Sequence, residues 1–240
     1  MTELLLARGL VKNFGGVRAL DNVDVVQHAG ETLGMIGPNG SGKTCFVNAV
    51  TGHLRLDVGE IHFAGQEVTG ASPQRIAGAG LARTYQAVRI FSRLTVRANL
   101  DTASIIHPDP KDRLDRAEES ELLKWLRLDH RLADLAGSLT LFEQRRLELA
   151  MRLVQRPRLV MFDEPVGGLA PPEIREMMLI LQELKGRCAL FVIEHTMRVI
   201  RELADRVVVL VTGEKIADGP PAEILKDQRV IDQYLGTAHA

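Results

Sequence analysis

One octapeptide, Gly37-Pro38-Asn39-Gly40-Ser41-Gly42-Lys43-Thr44, constrains this chain more than any other stretch. Its spacing is G-x-x-x-x-G-K-T. Thr32 to Ile36, before it, are apolar and β-prone apart from Gly34, and Cys45 to Val50, after it, read as a helix. A strand, a glycine-rich turn and a helix in that order make a phosphate-binding loop. The tight turn points backbone N–H groups inward at phosphate oxygens. Gly40 and Gly42 let that backbone approach without a Cβ in the way. Lys43 is placed to reach the β- and γ-phosphates, and the Thr44 hydroxyl to sit on Mg²⁺.

The rest of the chain is long enough to build a full core around such a loop. It has 240 residues, 45% hydrophobic and 25% charged, an ordinary globular composition. A formal net charge of −1 gives no pull toward nucleic acid or anionic lipid, so no nucleic-acid partner is expected. Cys45 and Cys188 lie in apolar surroundings and suggest no disulfide, which fits a reducing compartment. Met1-Thr2-Glu3 opens straight into Leu4-Leu5-Leu6 without a basic leader, so no signal peptide is expected. The longest apolar runs, Ala189 to Ile193 and Val207 to Val211, are far too short to span a bilayer. Any membrane role must come through a partner.

Leu4 to Leu10 and Val23 to Val26 read as strands joined by a Gly15-Gly16 turn. Ile61 to Phe63 is a short strand, Pro73 to Ala77 a helical turn, and Leu81 to Tyr85 a buried strand. From Gln86 to about Leu153 the β-branched clusters thin out and Leu-rich helical patterns take over. Pro108 and Pro110 suit the start of a helix that puts Leu114, Ala117, Leu122, Trp125 and Leu126 on roughly one face. Leu147, Ala150, Met151 and Val154 mark another helix. β-texture returns with Leu159 to Phe162, then a helical stripe at Ile174, Met177, Met178, Leu181 and Leu184 after Pro171-Pro172. Ala189 to Ile193 is a buried strand, Val207 to Val211 and Lys215-Ile216 a hairpin about Gly213, and Ala222 to Leu235 a helix. The expected fold is α/β, with an antiparallel β subdomain and a helical lobe inserted into a parallel core.

Chemistry-bearing residues fall at predicted strand ends, where ligands bind in open α/β sheets. Asp163 and Glu164 end one apolar strand. Asp163 is the candidate for Mg²⁺, and Glu164 for polarising a water that attacks the γ-phosphate. His195 ends the next strand and is placed to hydrogen-bond that phosphate. Gln86 follows a third strand, where an amide can touch metal or water. Phe14 offers a ring for an adenine face. Each residue alone says little; their order along the chain says much more.

Together they resemble an ABC-type ATPase subunit over essentially the whole chain. The Walker A loop would be Gly37 to Thr44 and the Walker B run Leu159 to Asp163 followed by Glu164. Gln86 corresponds to the Q-loop and His195 to the switch histidine. Gly80 to Gln86, Ile90-Phe91, Leu94 to Val96, Gln144 to Ala150 and the tail Gly219 to Gly236 are similar to ATP-binding subunits of branched-chain amino-acid importers. The resemblance implies a P-loop NTPase core at 1–85 and 156–240, and a helical subdomain at 86–155 that carries the signature region. It implies ATP as substrate, bound by Phe14, Asn39, Gly40, Ser41, Gly42, Lys43, Thr44, Cys45 and Gln86. Mg²⁺ would sit on Thr44, Gln86 and Asp163, with Glu164, His195 and Lys43 catalytic. It further implies a homo- or heterodimer that sandwiches two ATP molecules, two transmembrane permeases, and indirectly a periplasmic or surface substrate-binding protein. The subunit would then sit in the cytoplasm, peripheral on the inner face of the membrane. A subunit for another small solute or for lipopolysaccharide export is the neighbouring alternative, as is a catalytically weak ATP-binding partner subunit.

The chain departs from the family pattern on surfaces that would serve a partner's ATP. The signature Leu-Ser-Gly-Gly-Gln aligns with Leu139-Thr140-Leu141-Phe142-Glu143. Thr140 keeps the hydroxyl. Phe142 replaces a glycine, and its ring is expected to block close approach of the opposing phosphate. Glu143 adds a negative charge beside a polyanion. Ala170 stands where an Asp or Asn is usual, and Thr196 replaces a common Asp.

Overall fold

The computed structural model describes residues 2–105 and 113–235. Pro108 and Pro110 lie outside the described residues.

β1 (Glu3–Phe14) and β2 (Val17–His28) pair antiparallel across the Gly15-Gly16 turn, and both run longer than their apolar centres. β3 (Thr32–Ile36) is buried throughout and feeds the glycine-rich loop and α1 (Lys43–Val50). β4 (Val58–Phe63) and β5 (Gln66–Glu67) return to the first pair, giving a four-stranded sheet ordered β2-β1-β4-β5. α2 (Pro73–Gly78), capped by Ser72, leads into β6 (Leu81–Arg83). That strand stops at Arg83 rather than running to Tyr85: the Thr84 N–H still donates to Met161 O at 2.9 Å, and the chain then leaves the sheet edge.

α3 (Val96–Ile105), α4 (Arg116–Trp125) and α5 (Leu141–Leu153) fill the interval before β7 (Leu159–Asp163). A capping box between Asp115 and Glu118 starts α4. Its buried face is Leu122, Leu123 and Leu126; Ala117 is exposed and Leu114 precedes the helix, so the predicted face was right only at its C-terminal end. α6 (Pro171–Leu184), β8 (Ala189–Ile193), β9 (Arg206–Val211) and β10 (Glu214–Gly219) follow the expected runs, and α7 (Met197–Leu203), between β8 and β9, is a helix that the sequence expectations did not include. The single helix expected to end the chain is instead broken into α8 (Pro221–Ile224), α9 (Gln228–Val230) and a π-type turn at Ile231–Leu235. Asp227 causes the break, because its carboxylate accepts from Arg229 N at 2.9 Å and so caps a new helix start.

The second sheet has six strands ordered β10-β9-β3-β8-β7-β6, parallel except for the β9–β10 hairpin. Its strands alternate between two apolar clusters. Leu159, Met161, Phe191, Ile193, Val208 and Leu210 face α1 and the antiparallel sheet. Val160, Phe162, Leu190, Val192, Val207 and Val209 face the other way. On that side the helical lobe has no separate core: Leu100, Leu122, Phe142 and Leu149 join Phe162, Val192 and Ile200 in one cluster. β3, β7 and β8 are therefore clamped from both faces, and their carboxyl ends are fixed in register.

Candidate active site

Gly37 and Gly42 shape the loop between β3 and α1. A Cβ on Gly37 would lie 2.0 Å from Leu210 O, and one on Gly42, at φ +102°, would lie 2.4 Å from Ala19 O. Neither position can carry another residue without moving backbone. A Cβ on Gly40 would meet no protein atom within 4 Å, so what the fold itself asks of Gly40 is its φ of +79°. α1 starts with no side-chain cap and no acidic residue in its first turn. Its first N–H groups are therefore free to meet an anion.

Lys43 folds over this loop, with Nζ donating to Gly37 O at 2.8 Å, Pro38 O at 2.9 Å and Ser41 Oγ at 3.4 Å. Burial pushes the ammonium pKa down, while Glu164 and Asp163 pull it back up. Asn39, Gly40 and Thr44 are exposed, Ser41 and Gly42 are buried, and Cys45 is half-buried with its thiol pKa raised by burial.

The carboxyl ends of β7 and β8 bring the next group together. Gln86 Nε2 donates to Glu164 Oε2 at 2.9 Å, and His195 Nδ1 lies 3.5 Å from Glu164 Oε1. Glu164 thus meets at one oxygen Gln86, which the sequence assigned to metal or water, and at the other His195, which it assigned to the γ-phosphate. Its backbone is in the left-handed region at φ +52°, a strain worth ~1–3 kcal/mol for a non-glycine residue. The N–H of Glu164 donates to Ile193 O at 3.0 Å, which fixes the turn.

Asp163 has a partner that sequence reasoning missed. Arg83 Nη2 donates to Asp163 Oδ2 at 3.0 Å, and Nη1 to Asn48 Oδ1 on α1 at 2.6 Å. The only sequence signal was an arginine inside an otherwise apolar strand. Glu194 was also missed. It is fully buried, its pKa is raised by burial, and its carboxylate accepts from Val166 N at 3.4 Å and Thr196 N at 3.3 Å. It therefore ties the chain after Glu164 to the chain after His195.

The donor set suits Mg²⁺ in a particular way. Among the described residues no group of three or more His, Cys, Asp or Glu is arranged to hold a metal ion. Mg²⁺ on a nucleotide does not need such a cage, because one or two protein oxygens suffice beside waters and phosphates. The exposed Thr44 hydroxyl, the Asp163 carboxylate and the Gln86 amide oxygen supply hard ligands of that kind.

Phe14 is half exposed at the end of β1, with Lys12 Nζ 5.4 Å from its ring centre, so the ring is not part of the core. The signature segment corrects the sequence reading most sharply. The Phe142 ring is only 6% exposed, packs in the helical core and lies under the Arg146 guanidinium at 4.5 Å. It does not stand at the surface to block a phosphate. Thr140 and Glu143 form a capping box, with Thr140 N donating to Glu143 Oε2 at 2.9 Å and Glu143 N to Thr140 Oγ1 at 3.3 Å. Arg131 Nη2 lies 3.0 Å from Glu143 Oε1 and neutralises the charge expected to repel a polyanion. Leu141, at 42% exposure, and Thr140 are the exposed residues of this turn. Ala170 starts α6 without a side-chain cap, and its N–H donates to Glu173 Oε2 at 2.8 Å.

Burial of Phe142 sets a prediction: Phe142→Ala is expected to cost ~3–5 kcal/mol of stability. Denaturant unfolding measures it, and a loss within ~0.5 kcal/mol, as at a surface site, would contradict the inward ring.

The sequence model of the family described as ABC transporter matches residues 20–167, and that of the branched-chain amino acid ATP-binding cassette transporter matches residues 214–240. The chain is 34% identical over 251 residues to the high-affinity branched-chain amino acid transport ATP-binding protein BraF of Pseudomonas aeruginosa, covering 98% of each. It is 36% identical over 254 residues to LivG of Escherichia coli, a protein of the same description, again covering 98% of each. Among solved structures, the ADP conformation of MJ1267, an ATP-binding cassette of an ABC transporter, matches with a TM-score of 0.87 at 28% identity over 98% of this chain and 100% of that one. The phosphate loop, the Glu164 cluster and these likenesses agree: the chain belongs to the ABC transporter family, among the ATP-hydrolysing subunits that include BraF and LivG.

Proposed function

We propose that this subunit drives import of branched-chain or similar hydrophobic amino acids by binding and hydrolysing ATP between Lys43 and Glu164. The observation that carries the chemistry is the meeting of Gln86 and His195 on the two oxygens of Glu164, beside the phosphate loop. The solute class is supported by the two relatives and by the matched tail at 214–240.

Lys43 exchanges its loop carbonyls for β- and γ-phosphate oxygens when ATP arrives. The α1 amides take the remaining charge, and the exposed Phe14 ring stacks on the base. Thr44, Asp163 and Gln86 would hold Mg²⁺, which would supply positive charge against the phosphates. Glu164 orients a water and accepts its proton as the water oxygen bonds to the γ-phosphorus and the bond to ADP breaks. His195 holds a γ-phosphate oxygen. Positioning and charge neutralisation account for most of the acceleration in such transfers.

The subunit works in a homo- or heterodimer, with α5 of one subunit facing the ATP of the other. Thr140 and Glu143 are engaged in their own cap, so the signature offers the free N–H groups of the first turn of α5 rather than side chains. With Phe142 turned inward, a sterically crippled signature loses its reason. Residues 1–85 and 156–240 act as the ATP-binding core and 86–155 as the helical subdomain that meets two permeases. The described residues contain no helix long and apolar enough to cross a membrane. A peripheral seat on the cytoplasmic face of the membrane is supported by the likeness to transport ATP-binding proteins.

Uptake of labelled leucine, isoleucine and valine by cells lacking this chain tests the reading. Uptake is expected to fall and to be restored by the wild-type chain but not by Glu164→Gln. Unchanged uptake of all three would overturn the solute assignment.

A further inference from the structure

We propose that Arg145 is a positioning residue for ATP hydrolysis, a clamp that fixes the helix bearing the signature to the backbone carrying Glu164 and Gln86. Arg145 Nη2 donates to Gly167 O at 2.6 Å and reaches Gln86 O at 3.5 Å, while Nη1 reaches Glu164 O at 3.4 Å. One guanidinium thus bonds carbonyls from the loop after β6 and from the turn after β7, with α5 as its base. The residue is 8% exposed, and among the described residues its buried Nε has no partner. Burial lowers its pKa, and Glu148, Glu194 and Glu164 oppose that shift and keep the charge in place.

One turn along the same face of α5, Glu148 makes a second attachment. Its carboxylate is 1% exposed and accepts from Arg89 N at 3.1 Å. The loop from Gln86 to Arg89 is therefore held to α5 at both ends, once through a carbonyl and once through an amide.

The consequence follows from geometry. Glu164 sits in a strained backbone conformation that persists only where neighbours over-determine it. Arg145 bonds the carbonyl of that residue and the carbonyl of Gly167, whose N–H closes the following turn by donating to Glu164 O at 3.1 Å. A planar fork can serve several acceptors at once, whereas a lysine ammonium on a flexible stem cannot reproduce that spread. Any displacement of α5 is carried through Arg145 to the Glu164 carboxylate and to the Gln86 amide bonded to it. The proposal rests on Glu164 being the residue that activates water.

The test uses the full chain with MgATP and the variants Arg145→Lys and Arg145→Met. Both are expected to lower kcat roughly 10- to 100-fold, the scale of a small misplacement of a reacting group. KM is expected to stay within about 2-fold, because the phosphate loop is untouched. Amide exchange is expected to rise in 86–90 and 164–169 while the interior of α5 and the thermal midpoint of Arg145→Lys hold. An unchanged kcat, a rise in KM alone, or exchange that rises uniformly through α5 and the core would overturn the clamp. If Glu164→Gln keeps wild-type turnover while exchange in 86–90 and 164–169 still rises in Arg145→Lys, the clamp stands and the role given to Glu164 falls.

Discussion

Glu164→Gln is expected to leave ATP binding intact and to cut turnover by roughly 10²- to 10⁴-fold, the usual contribution of a positioned base. The amide keeps the shape of the side chain and can still bond Gln86 and His195, so the local structure should survive. What it loses is the ability to accept a proton from water. Phosphate release under single-turnover conditions separates this from slow product release. Wild-type release would show that the carboxylate at the end of β7 is not the group that activates water.

Lys43→Ala is expected to act on the other quantity. The ammonium already lies over the loop on Gly37 O, Pro38 O and Ser41 Oγ, where the phosphates must replace those acceptors. Removing one partner of a desolvated, hydrogen-bonded charge pair costs ~2–5 kcal/mol, which raises the Kd for MgATP by roughly 30- to 5,000-fold. Lys43 is half-buried, and truncating it also leaves the loop carbonyls without their donor. Titration calorimetry gives the number directly. Normal affinity in Lys43→Ala would mean that the nucleotide lies elsewhere.

These two variants divide the site by function. Lys43 acts on affinity because it meets phosphate oxygens in the ground state. Glu164 acts on rate because its charge matters only as the proton leaves water. The Arg145 variants should behave like weak versions of Glu164→Gln, since they disturb the placement of the same carboxylate from a distance.

The sequence alone determined what depends on short spacing. The loop from Gly37 to Thr44, the unbroken apolar runs of β7, β8 and β9, and the stripe on α6 are each written within a short stretch, so each states its own local structure. Strand ends followed from those runs, and with them the positions of Asp163, Glu164 and His195. Only the tertiary structure decided which way the first turn of α5 faces: a segment that begins a helix has too little periodicity of its own to fix its phase, so packing against the helical core turned Phe142 inward. The break at Asp227 had the same origin, a capping choice hidden inside a plausible helical stretch. The pairing of Arg83 with Asp163 spans 80 residues, and the reach of Arg145 to Gln86 spans 59. Such contacts exist because parallel register lays β6, β7 and β8 side by side, and strands acquire that register only when they share a core.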